Sequence, residues 1–557
     1  MQIQVSQLIV KFLQQLGVDT IFGMPGAHIL PVYDDLYDSS IQTVLVKHEQ
    51  GAAFMAGGYA RVSGRIGACI TTAGPGASNL ITGIANAYAD KLPMIVITGE
   101  APTHIFGRGG LQESSGEGGS IDQTALFSGV TRYHKLIERT DYLTNVLNQA
   151  ARQLVSDVPG PVVLSIPVNV QKELVDVAIL DKLPTLKPLP KLQIAPQLLE
   201  QCAEMIRQAQ RPVILAGYGC LQSAQARAEL RRFSDHLNIP VATSLKGKGA
   251  IDERSELALG SLGVTSSGHA MHYFMEEADL IILLGAGFNE RTSYVWKQGV
   301  LNPSKIIQVD RNVAQLEKVF KADLAIQSDL GDFLKSMNAS CVPQGLEPKP
   351  RPDIAAFKRH IDQQNIVHDT VIFGDKFALV KTLFARLEQH FDEGIVLVDD
   401  NIIFAQNLYR VKADDLFVPN TGVSSLGHAI PAAIGARFAL KKPMFAILGD
   451  GGFQMCCMEI MTAVNYQIPL TIIMFNNQTL GLIRKNQHQQ YQQRFLDCDF
   501  QNPDYTLLAK SFGINHFKIA SDADCQQVFE LADFHQGINL IELMVDQDAY
   551  PNYSSRR

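Results

Sequence analysis

The sequence predicts an α/β protein of three domains, each a doubly wound parallel sheet. Three observations predict it. Short apolar strands alternate with helical runs in three successive blocks. Two proline-rich connectors separate those blocks. The first and third blocks repeat one pattern. At 557 residues the chain also exceeds what one core normally supports. The domains are expected at 1–182, 190–345 and 370–557.

The first block holds apolar strands at Thr43–Val46, Gly67–Thr71, Met94–Thr98 and Val162–Ile166. The stretch LPTLKPLPKLQIAP, from Leu183 to Pro196, reads as an extended linker because its prolines fix the backbone. The second block runs strands into turns at Pro212–Gly219, Asp279–Gly287 and Lys305–Asp310. A second connector spans Val342 to Asp353. The third block has strands at Met444–Leu448 and Leu470–Phe475, with a helix from Met458 to Tyr466 between them.

The repeat is specific. AAFMAGGYAR (52–61) leads through a strand to Gly74-Pro75-Gly76, then a helix, then Leu92-Pro93 and a strand. PAAIGAR (431–437) leads through a strand to Gly449-Asp450-Gly451, then a helix, then Ile468-Pro469 and a strand. The spacing implies duplication, with the two copies packed face to face. Only the second copy has an acid in its turn.

Composition narrows the function. Apolar content of 46% and charged content of 19% describe a globular protein. A net charge of −8 argues against nucleic acid or an anionic membrane as partner. Cys69, Cys202, Cys220, Cys341, Cys456, Cys457, Cys498 and Cys525 lack zinc or redox spacing, so reduced thiols and a cytoplasmic setting are expected. MQIQVSQLIVKFLQQLGV lacks a signal peptide's basic start and cleavage site. No apolar run reaches membrane-spanning length.

The chemistry begins at Gly449-Asp450-Gly451, with 24 residues between Gly451 and Asn476-Asn477. Both turns follow parallel strands joined by a helix, so both fall at one sheet edge. A carboxylate, an amide oxygen and backbone carbonyls there suit Mg²⁺ with diphosphate oxygens. Glycine lets backbone approach the phosphates. A tight turn and a polar loop is the plainer alternative.

HEQGAAFMAGGYAR, TTAGPGASNLITGIANAY and GDGGFQM with NN resemble the thiamine-diphosphate-dependent decarboxylases and carboligases. Within them the chain is similar to the acetolactate synthase branch, end to end. The resemblance implies a pyrimidine-binding, a central Rossmann-like and a diphosphate-binding domain. It implies Mg²⁺ ligands at Asp450, Asn477 and the carbonyl of Thr479. Further cofactor contacts are implied at Pro25, Gly74, Asn79, Gly449, Gly451, Gly452, Gly481 and Leu482. Leu426 would wedge the cofactor into its bent form, and the Ser424 carbonyl would accept its 4′-amino group. Glu49 would activate it through the pyrimidine N1′. As a lone residue, Glu49 would read as a helix-start acid.

Substrate-side residues are less typical of that branch. His28, in Gly23-Met24-Pro25-Gly26-Ala27-His28, stands where relatives carry a small residue; it would serve a carboxylate or move a proton. Gln112 and Gln123 are both candidates for a substrate-facing amide. Between them, Ser114 to Ser120 reads as an added flexible loop. Lys135 stands near a position that holds a keto-acid carboxylate in some synthases. Each of these residues also reads as a solvated side chain on a polar surface loop. Asn486 replaces a tryptophan that favours 2-ketobutyrate, and Trp296 is the only tryptophan. Asp400-Asn401-Ile402-Ile403 replaces a phosphate-anchoring GQHQ-like segment. FAD is allowed in the central domain but not expected, because Gly287 replaces an arginine of the flavin pattern.

The expectation is decarboxylation of a small 2-keto acid, pyruvate first, with carboligation to a second carbonyl. An amine-acceptor synthase of the carboxyethylarginine type, a simple decarboxylase and a non-catalytic cofactor binder are the alternatives. Because the cofactor would lie between subunits, a homodimer or homotetramer is expected.

Overall fold

The computed structural model describes residues 1–183, 194–290, 292–293, 301, 305–341 and 346–553. Trp296, residues 184–193 of the first proline-rich connector and residues 342–345 of the second lie outside the described residues.

The first domain is a six-stranded sheet. Its strands are β1 (Thr20–Gly23), β2 (Gln42–Leu45), β3 (Gly67–Thr71), β4 (Met94–Glu100), β5 (Tyr133–Leu136) and β6 (Pro161–Pro167). They lie side by side as β2-β1-β3-β4-β6-β5, all parallel. The central domain has β7 (Pro212–Ala216), β8 (Val241–Ser244), β9 (Ala258–Leu262), β10 (Leu280–Leu284), β11 (Lys305–Asp310) and β12 (Leu324–Gln327). Their order is β9-β8-β7-β10-β11-β12, again parallel. This is the Rossmann order, with the strand order reversing between β7 and β10.

The third domain has β13 (Val396–Asp399), β14 (Leu416–Pro419), β15 (Met444–Gly449), β16 (Leu470–Asn476), β17 (Asn515–Ile519) and β18 (Ile538–Met544). Their order, β14-β13-β15-β16-β18-β17, repeats the first domain strand for strand. The three parallel sheets agree with the sequence reading, and the shared strand order agrees with the internal repeat.

Two helices join the repeated domains. Helix α1 (Glu49–Ser63) starts where the His48 ring accepts the Gln50 amide at 3.2 Å, and it ends at Gly64 with φ +68°. Helix α2 (Ala429–Ala439) is its counterpart. Each carries a run of alanine and glycine, so the backbones touch. A Cβ on Gly58 would lie 2.0 Å from the Ala432 carbonyl oxygen, and one on Gly435 would lie 1.9 Å from that of Met55. These two glycines occupy matching places in the repeated segments. One apolar cluster runs through the contact, from Phe22, Met55 and Tyr59 to Ile430, Ala433 and Ile434. The central domain keeps its own core around Ile214, Leu230 and Phe333.

Candidate active site

The carboxyl edge of the third sheet builds one half of the site. β15 ends at Gly449, and α3 (Asp450–Cys456) starts at once. Asp450 is 1% exposed. Its Oδ2 accepts the Gln478 amide at 2.6 Å, the Asn477 amide at 3.2 Å and Asn502 Nδ2 at 2.8 Å. Its Oδ1 accepts the Gly451 amide at 3.0 Å. Burial still raises its pKa above the usual carboxylate range, against those four donors. A bound cation would reverse that balance.

The Asn477 amide supplies the test of fit for such a cation. Turned to donate, its nitrogen stands 3.2 Å from Asp450 Oδ1 and 2.9 Å from the Thr479 carbonyl. Turned the other way, its oxygen takes that point, and a carboxylate, an amide and a backbone carbonyl converge. Three hard oxygens around one point fit a Mg²⁺-sized ion. Among the described residues there is no cluster of three His, Cys, Asp or Glu side chains able to hold a metal. The oxygen set at Asp450 is of another kind.

Around it, Gly449 and Gly451 are half-buried and Gly452 is buried. Thr479 Oγ1 donates to the Cys498 carbonyl at 2.9 Å, which fixes the loop after Asn477. Gly481 opens α4 (Gly481–Gln490), where Leu482 is half-buried and Ile483 is 48% exposed. Ser424 sits at φ +60° and leads to a half-buried Leu426.

The first domain carries the second group of candidate residues. Glu49 is the first residue of α1 and is 8% exposed; its Oε2 accepts Asn79 Nδ2 at 2.9 Å. A Cβ on Gly76 would lie 2.5 Å from Thr71 Oγ1 and 2.9 Å from Thr72 Cγ2, so that glycine lets its turn lie against the end of β3. Glu459, from the third domain, accepts the Lys47 and His48 amides just before it.

His28, Gln112, Thr72 and Gly74 gather beyond this turn. His28 Nδ1 is 3.3 Å from Gln112 Oε1, and Thr72 Oγ1 donates to the same oxygen at 3.4 Å. Gly74, at φ +60°, lets Gln112 lie close: a Cβ there would be 3.0 Å from Gln112 Cβ. Pro25 is exposed on the neighbouring loop.

Three expectations need correction. Gln123 is 3% exposed, and its amide nitrogen donates to Thr98 Oγ1 at 3.0 Å and Ser165 Oγ at 2.7 Å. The structure therefore brings Gln112, not Gln123, to His28. Lys135 lies on the edge strand β5 with its ammonium 5.1 Å above the Tyr142 ring, outside this group. The Ser114–Ser120 segment is a bonded turn rather than a loose insertion. The Glu113 carboxylate accepts the Gly110 amide at 2.9 Å and Ser115 Oγ at 2.7 Å, and Ser115 bridges Asp122. Ser114 Oγ in turn accepts the Gly74 amide at 3.0 Å.

Asn502, Thr72, Glu459, Asp400 and Asn420 also enter the site, and none was picked out of the sequence for these contacts. Thr72 stood inside the quoted TTAGPG stretch. The others are brought in by the fold from distant segments.

A further cleft opens at the carboxyl edge of the central sheet and reaches Ser424. Its volume is about 290 Å³, and Gly219, Gly285, Asp310, Arg311, Gln315 and Ser424 are among the residues that line it. A Cβ on Gly287 would lie 2.9 Å from Gln315 Oε1, so Gln315 fills the space beside that glycine.

Family models match all three domains. They are the N-terminal TPP binding domain over residues 3–125, the central domain over 199–337 and the C-terminal TPP binding domain over 400–543, all of thiamine pyrophosphate enzymes. The chain belongs to the thiamine pyrophosphate (thiamine diphosphate) enzymes, in the branch of the acetolactate synthase large subunits. It is 33% identical to a probable acetolactate synthase large subunit of Methanocaldococcus jannaschii, over 97% of this chain and 92% of that one. It is 31% identical to the isozyme 2 large subunit of Escherichia coli, over 97% and 95%. It is 30% identical to the large subunit of Lactococcus lactis, over 92% and 88%.

Proposed function

We propose that this enzyme decarboxylates a small 2-keto acid and joins the remaining carbon fragment to a second carbonyl compound, with Mg²⁺ holding the diphosphate. With pyruvate in both roles the product is 2-acetolactate. The names of the relatives support this reading. The observation that carries it is the pairing of a buried Glu49, braced by Asn79, with a convergent oxygen set at Asp450, Asn477 and Thr479.

Thiamine diphosphate supplies the electron sink on which the keto acid loses CO₂. The chain's residues do the rest. Glu49 holds a proton at the pyrimidine N1′. Asp450 Oδ1, Asn477 Oδ1 and the Thr479 carbonyl hold the cation. Gly449, Gly451, Gly452 and Gly481 give the phosphates close backbone. Leu426 and the Ser424 carbonyl would orient the pyrimidine, and Gly74, Asn79 and Pro25 would contact the cofactor. His28 would serve the substrate carboxylate or move a proton, and Gln112 would bond the substrate through its amide. Leu482 closes the apolar side and excludes water.

A self-associated enzyme fits this site. Within the chain α1 and α2 pack back to back, and Met455, Met458, Val423 and Leu111 are left 62%, 56%, 47% and 73% exposed. Apolar surface of that kind near a site marks an interface, so a homodimer or homotetramer is the active form we propose. Catalysis without FAD is proposed because Gly287 stands where the flavin pattern has an arginine; flavin bands in the absorption spectrum would overturn that. Cytoplasmic residence is proposed as well. No described helix is long and apolar enough to cross a membrane.

Incubation with pyruvate, thiamine diphosphate and Mg²⁺ tests the reaction. Acetolactate, read as acetoin after acid treatment, is expected. Acetaldehyde alone would favour the simple decarboxylase, and a product formed only with an amine acceptor would favour the alternative synthase.

A further inference from the structure

Asp400 stands at the carboxyl end of β13, 1% exposed. Its Oδ2 accepts the Gly427 amide at 2.8 Å. Its Oδ1 accepts the His428 amide at 3.1 Å and Asn420 Nδ2 at 3.2 Å. Asn420 also donates to the Ser425 carbonyl, and its own oxygen accepts Asn86 Nδ2 from the first domain at 3.1 Å. One carboxylate thus gathers both ends of the 420–428 loop. That loop needs gathering: Ser424 is held at φ +60° and Gly427 at φ +82°. A serine in the left-handed region persists only where its surroundings fix it.

The same carboxylate rests on the turn after β15. A Cβ on Gly452 would lie 2.6 Å from Asp400 Oδ2. The amides ahead of α2 form an anion site by nature, and here a protein carboxylate fills it. The diphosphate is thereby directed to the Gly449–Gly452 turn instead.

We infer that Asp400 is a positioning residue that sets the Leu426 loop at a fixed height over the diphosphate turn, so that the pocket admits the bent cofactor. The inference rests on the thiamine diphosphate reading. Asp400 touches no substrate; it acts through the Gly427 and His428 amides and through Asn420. An aspartate is required because three donors converge on two oxygens. In an asparagine, one of those oxygens becomes an NH₂ facing an amide hydrogen. The strong bonds are those of the ionised side chain.

The experiment uses full-length protein and two ligands, thiamine diphosphate and inorganic diphosphate, each with Mg²⁺. For Asp400→Asn, the dissociation constant for thiamine diphosphate should rise at least tenfold. That for inorganic diphosphate should stay within twofold, because the turn itself is intact. Peptides covering 420–428 should exchange amide hydrogen about tenfold faster, while those of β7 to β10 stay unchanged. If Asp400→Asn does not fold, Asn420→Ala decides, with an expected threefold or larger loss for thiamine diphosphate alone. Unchanged thiamine diphosphate binding in the folded variant overturns the inference, as does an equal loss for both ligands. Wild-type protein that takes up no thiamine diphosphate overturns the cofactor reading as well.

Discussion

The Glu459 carboxylate accepts the His48 amide at 2.9 Å, across the boundary between the third and first domains. Its Oε1 also accepts the Lys47 amide at 3.1 Å, while its Oε2 accepts Thr462 Oγ1 at 2.8 Å. The next residue after His48 is Glu49. The third domain therefore sets the turn that presents the first domain's key acid.

Glu459→Ala removes the one oxygen that accepts both amides. It should cost about 1–3 kcal/mol of stability and lower kcat more than it raises KM, since Glu49 loses its orientation. Glu459→Gln keeps one oxygen for the two amides and should recover most of the rate. Steady-state kinetics with urea unfolding of both variants check this, and equal losses in the two would refute the positioning role.

Glu49→Gln keeps the Asn79 contact through its remaining oxygen but cannot exchange a proton at N1′. Turnover should fall by about 10²–10⁴, with melting temperature and Mg²⁺-dependent cofactor binding nearly unchanged. Near wild-type turnover would remove Glu49 from the proposal.

The α1–α2 crossing has no room for a side chain at Gly58 or Gly435. Gly58→Val should destabilise by several kcal/mol, because the Cβ meets backbone rather than a flexible tip. Limited proteolysis should then cut between domains that resist it in the wild type. A soluble, equally stable Gly58→Val protein would contradict the packing.

Chelation tests the cation site. Dialysis against a chelator should abolish thiamine diphosphate binding, and Mg²⁺ or Mn²⁺ should restore it. Asp450→Asn should leave the fold intact and weaken metal-dependent binding by at least tenfold. Cofactor binding that survives full metal removal would count against the oxygen triad.

His428 gives a pH prediction. It is 7% exposed, packs edge-on to Phe54 at 5.2 Å and faces Asp90 and Arg61, while Asp400 accepts its backbone amide. Burial lowers its pKa from 6.5 to about 4. Between those values the unfolded chain binds a proton that the folded chain refuses. Its contribution is thus complete above pH 6.5 and is lost as pH falls toward 4. Asp400, raised to about 6 by burial, runs the other way: its contribution is present below 3.8 and fades as pH rises through 6. The stability gap between wild type and His428→Gln should therefore grow by about 3 kcal/mol from pH 4 to 6.5. Urea midpoints across that range measure it, and a flat difference would refute it.

Residues close together in sequence were the most legible. Gly449-Asp450-Gly451 and Asn477 declared a site because both follow apolar strands joined by one helix. The matching AAFMAGGYAR and PAAIGAR segments declared a duplication, and Gly58 and Gly435 now lie in the contact between the copies. Gln112 and Gln123 could not be separated, because the ten residues between them, with Gly and Ser, fix no direction. Bonds to Thr98 and Ser165 decide it, and those residues lie on other strands.

Local pattern alone determined the three parallel sheets, the repeat and the family's motifs, since strand and helix periodicity and turn glycines act within a few residues. Tertiary structure alone decided that Glu459 braces the Glu49 turn, that Asp400 gathers the Leu426 loop and that Gln112 meets His28. Those partners lie between 20 and 411 residues apart. A buried carboxylate takes whatever amides the folded backbone brings to it, and sequence spacing carries no trace of which ones these are.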